Sequence, residues 1–102
     1  MSPMAPPLVE RKLVEVSKRL AKAKAELSVA DEQLSALTEL ADDARLRSLV
    51  SETPLAARES NEAQRHAEAM AGARDSLASQ VKRLEAELDE LLDRFVPPGS
   101  GA

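Results

Sequence analysis

Between Arg47 and Arg58 the chain reads RSLVSETPLAAR, and its central four residues, Ser51-Glu52-Thr53-Pro54, are the one interior break in a helix-forming sequence. Proline disfavours helical geometry at the residue before it, Thr53 supplies a side-chain oxygen that caps a new helix, and Pro54 suits that helix's first position. The break predicts a turn at 51–54, joining a first helix over about 8–50 to a second over about 54–96. The prolines and glycine of Pro97-Pro98-Gly99 stop the second helix, and residues 1–7 and 97–102 read as flexible ends.

On both sides of the turn apolar residues recur in heptads. Leu13, Leu20, Leu27 and Leu34 alternate with Val9, Val16, Ala23, Ala30, Leu37 and Ala44. After the turn, Ala63, Met70, Leu77, Leu84 and Leu91 form one row and Ala67, Val81, Leu88 and Phe95 the other. Such spacing keeps a narrow stripe facing a partner helix. In an antiparallel hairpin, facing positions must have a constant sum of residue numbers. Leu13 with Leu91, Leu20 with Leu84, Ala23 with Val81, Leu34 with Met70 and Ala41 with Ala63 each total 104, whose midpoint, 52, lies inside the turn. The fold expected is all-α: a two-helix antiparallel coiled-coil hairpin, with dimerisation into a four-helix bundle as its natural extension.

Charge agrees with this register. Residues 8 to 25 carry Arg11, Lys12, Lys18, Arg19, Lys22 and Lys24 against Glu10 and Glu15, while residues 84 to 93 hold Glu85, Glu87, Asp89, Glu90 and Asp93. Across the seam Arg19 is expected to meet Glu87. Arg74 falls on the seam opposite Ala30; its methylenes are expected to cover the alanine while its guanidinium reaches water, the alternative being a hinge or docking point near Gly72.

With 102 residues, one aromatic residue and abundant Ala, Leu, Glu, Lys and Arg, the chain has the composition of long helices, each about 60 Å for some 40 residues, more than of a globular core. A net charge of -4 is too small and of the wrong sign for a general nucleic-acid binder. The absence of cysteine removes disulfides, thiolate catalysis and thiol-based zinc sites. MSPMAPP has no basic segment followed by an apolar core, and no apolar run suffices for a membrane span, so a cytoplasmic location without membrane contact is expected.

Enzymatic chemistry is not expected. Two helices with one buried stripe offer no enclosed pocket where polar groups converge. His66 is the sole histidine and flanks the seam near Leu40, and the neighbours Asp31-Glu32 and Asp42-Asp43 diverge on a helix surface. No catalytic, metal or cofactor residues are assigned.

Two surfaces remain as candidate partner-binding sites. At the tip, Leu46, Leu49, Val50 and Leu55 lie off the heptad rows, either as a plug over the helix ends or as a docking patch. On one flank, Val14, Ala21, Ala71, Ala78 and Leu92 would let a second helical pair approach closely, which makes a homodimer or a helical heterodimer the expected partner state. Residues 26 to 78 contain eleven acids against five bases, so the half nearest the turn is an acidic arm of -6.

In length and architecture the chain is similar to the secreted hairpins of type VII systems, although its turn reads Ser51-Glu52-Thr53-Pro54 where those carry Trp-x-Gly. It also resembles the coiled-coil arm of bacterial transcript-cleavage factors, with Asp42, Asp43 and Glu52 near the turn. The first resemblance implies export as a helical heterodimer, and the second a regulator that inserts an acidic arm into a larger machine such as RNA polymerase. The leading expectation is a non-enzymatic interaction or scaffold module whose protein partner the sequence leaves unnamed.

Overall fold

The computed structural model describes residues 5–95. Helix α1 spans Ala5–Ser51 and helix α2 spans Pro54–Phe95, so every described residue except Glu52 and Thr53 is helical. Together they form a helical hairpin. The expected break at 51–54 is a tighter feature than anticipated, because Ser51 still belongs to α1 and Pro54 already belongs to α2. The expectation that residues 1–7 stand outside the helix is corrected at its inner end, since residues 5–7 join α1. Pro6 and Pro7 lie in the first turn, where their missing N–H groups would have no intrahelical acceptor. The flexible-end readings for residues 1–4 and 96–102 fall outside the described residues.

Two residues make the turn because its backbone groups are closed locally. Glu52 takes a left-handed conformation, φ 51°, and its N–H donates to the Ser48 carbonyl at 3.0 Å, the αL termination of a helix. Thr53 then caps α2 with both of its oxygens. Its Oγ1 accepts from the Ala56 N–H at 3.1 Å, and its carbonyl accepts from the Ala57 N–H at 3.1 Å. Pro54 at the first helical position has no N–H to satisfy.

The chain divides into two compact units, a terminal unit from Met1–Ala25 with Ala78–Ala102 and a turn unit over Glu26–Leu77. In the terminal unit the buried side chains are Val16, Leu20, Ala23, Val81, Leu84 and Leu91. Leu20 and Leu84, and Ala23 and Val81, are register partners buried on both sides, with Leu13 and Leu88 half-buried opposite Leu91 and Val16. Burying a leucine or valine side chain contributes about 1.5–3 kcal/mol, so these layers carry the unit. Its outermost layer is open: Val9 is half-buried but Phe95 is exposed.

In the turn unit the seam continues with smaller residues. Ala30, Ala41, Ala44 and Ser60 are buried, and Leu27, Leu34, Leu37, Ser48, Ala56, Ala63, Ala67, Met70 and Leu77 are half-buried. From Pro7 on, every α1 side chain that is not exposed occupies one of the expected seam positions, except Ser48, which continues the row one heptad past Ala41. In α2 the additions are Ala56 and Ser60, which continue the stripe toward the turn, and Ala71, Ala78 and Gln80, which border it. Ser60 extends the seam beyond Ala63 to Ala44, a layer that apolar pattern-reading passes over because serine is not apolar.

Candidate functional site

The tip belongs to the turn unit. Leu46, Leu49, Val50 and Leu55 are 61, 66, 83 and 61 % exposed. They do not plug the hairpin. Their heptad positions lie on the outer faces of the helices, and the turn closes with backbone hydrogen bonds and the Thr53 cap rather than with a fold of apolar side chains. The charge around them differs from the rest of the unit: residues 45–58 contain Arg45, Arg47 and Arg58 against the single acid Glu52. Asp42 and Asp43, one turn back along α1, are exposed.

Arg74 lies in the same unit, at the seam position opposite buried Ala30. Its guanidinium is open to solvent, as expected, and there it also meets two acids. Its Nε donates to Asp31 Oδ1 at 2.7 Å and its Nη1 donates to Asp75 Oδ1 at 3.1 Å. The hydrogen bond to Asp31, followed by that to Asp75, holds the Arg74 pKa above its ordinary value. Asp31 is the residue after Ala30, so a long side chain on the facing helix reaches it by leaning one position past its own layer. Pair arithmetic on the seam marks Ala30 as the partner of Arg74, and the acid beside it was the available signal.

The five flank residues divide between the units. Ala71 is in the turn unit and is half-buried. Val14, Ala21, Ala78 and Leu92 are in the terminal unit, where Ala78 is half-buried and Ala21 exposed. Val14 and Leu92 are 52 and 44 % exposed and line a groove of about 400 Å³ together with Leu13, Ser17, Lys18 and Leu88. Farther along the same unit Lys24 Nζ lies 3.7 Å from Glu85 Oε2. The Arg19–Glu87 pair expected across the seam is not formed. Glu85 instead meets Lys24, an exposed pair of the kind that contributes little to stability.

His66 and Leu40 are both exposed. Among the described residues no three His, Cys, Asp or Glu side chains gather as a metal-binding group, and no helix is long and apolar enough to cross a membrane.

Comparison with known proteins returns no match. No family model, curated protein or solved structure is similar enough to this chain to assign it a lineage.

Proposed function

We propose that the chain is a non-enzymatic protein-interaction module of the cytoplasm that docks a partner through the tip of its hairpin. The observation that carries this reading is the exposure of Leu46, Leu49, Val50 and Leu55, all above 60 % and all within ten residues of one turn. Exposed apolar groups interleaved in sequence with exposed Arg45, Arg47 and Arg58 suit a partner with an apolar cleft and an acidic rim. The two-residue turn presents these groups on capped helix ends, which lowers the ordering cost of docking.

A second reading draws on Asp42, Asp43 and Glu52, which are exposed on an arm whose net charge is -6. In that reading the acidic arm enters a cationic channel of a larger machine such as RNA polymerase. Affinity capture from the native cell with two variants separates the two. Leu49→Asp with Leu55→Asp should lose the partner if the tip docks, while Asp42→Ala with Asp43→Ala retains it. The reverse pattern establishes the acidic arm as the working surface and overturns tip docking. All four positions are exposed, so helicity by circular dichroism should be unchanged in both variants.

A further inference from the structure

We propose that the groove of the terminal unit seats a second copy of this chain, in a two-fold dimer that lays α1 of each copy over α2 of the other. The groove has an apolar floor and two walls. Val14 stands on the α1 wall and Leu92 on the α2 wall, each about half exposed. Charge on the rims is biased by wall. On α1, Lys18 lines the groove, and Arg11 stands with Glu10 beside Val14 in an adjoining hollow. On α2, Asp89 and Asp93 lie one turn before Leu92 and immediately after it, and both are exposed.

An occupant must therefore bring acid to the α1 wall and base to the α2 wall, with an apolar group between them. A second copy turned about an axis running along the groove does so, because that rotation exchanges the walls. The register total of 104 places Arg11 level with Asp93, and Lys18 within a turn of Asp89. In the dimer Lys18 of each copy faces Asp89 of the other, Arg11 faces Asp93, and Val14 packs against Leu92. Each contact occurs twice, as an isologous interface requires. Every helix then has antiparallel neighbours, the arrangement of an up-and-down four-helix bundle. An axis running across the groove at the level of Val14 would instead stack α1 on α1 and set Arg11 of each copy over Lys18 of the other. Like charge excludes that alignment and selects the other.

This pairing uses no tip residue, so it stands or falls separately from the docking reading above. Sedimentation equilibrium on the full chain should give a dimer, and Val14→Glu or Leu92→Glu should give monomers of unchanged helicity. Lys18→Glu and Asp89→Lys should each weaken self-association by about tenfold, since each removes two exposed pairs per dimer. The double variant should recover the wild-type constant. A wild-type chain that stays monomeric at its highest soluble concentration overturns the proposal. So does a dimer that survives Val14→Glu, or a double variant no tighter than the single ones.

Discussion

Ser60 occupies the seam position opposite Ala44, and the two are buried to 7 and 4 % exposure. This is the last layer of the hairpin buried on both sides before the turn, and it is built from two of the smallest side chains. With Ala41 and Ala63 one layer away and Ser48 and Ala56 on the other side, the turn end of the seam has little side-chain volume between its helices. Short side chains allow the close helix approach that a two-residue turn demands.

Enlarging this layer should therefore be costly. Ser60→Leu is expected to destabilise the hairpin by about 1–3 kcal/mol through overpacking, whereas Ser60→Ala should change stability by less than about 1 kcal/mol. Urea denaturation followed by circular dichroism measures both. A leucine variant as stable as wild type would show that the layer has room the small residues leave unused.

The turn makes opposite predictions for adjacent residues. Thr53→Ala removes the acceptor of the Ala56 N–H and should cost about 1 kcal/mol. Glu52→Gly should stabilise the fold by about 0.5–1 kcal/mol. It relieves a left-handed backbone that costs a side-chain-bearing residue about 1–2 kcal/mol, less the entropy glycine adds to the unfolded chain. Thermal melts of the two single variants and the pair should show additive shifts of opposite sign.

Gly72 sits inside α2 with nothing within 4 Å of where a Cβ would stand. Gly72→Ala should accordingly stabilise the protein by about 1 kcal/mol, the helix-propensity difference, with no steric penalty. A destabilised alanine variant would mean that the helix needs glycine there for a reason other than space.

The Arg74–Asp31 pair is better tested with salt than with pH. Its hydrogen bonds raise the arginine pKa, so the stability it adds is fully present below the unfolded-state value and is lost only above the higher folded one, beyond the usable pH range. Its exposure makes it sensitive to screening. In a double-mutant cycle with Arg74→Ala and Asp31→Ala, the coupling should be favourable at low ionic strength and shrink as sodium chloride is raised. Coupling insensitive to salt would assign the pair to packing over Ala30.

Both helices, the position of the turn and the layer register were legible in the residues themselves. Heptad spacing is a local property, and a proline preceded by a capping threonine stops one helix and starts the next whatever lies nearby. Fixing the turn then fixes the register, because each later residue on α2 has one counterpart on α1. The outer reaches of the pattern were poorer guides: Phe95 follows the heptad yet stays exposed.

What the tertiary structure decided was where long side chains end and which surfaces stay open. Arg74 reaches Asp31 at the solvent edge, a partner the spacing did not name, and Lys24 reaches Glu85, although the spacing pointed to Arg19 for the acidic strip. A flexible side chain spans more than one layer, so its partner is selected by three-dimensional competition among nearby acids rather than by heptad position. The tip shows the same division: composition located four large apolar residues at the turn, but only the folded helices placed them on outward faces, in water, beside three arginines.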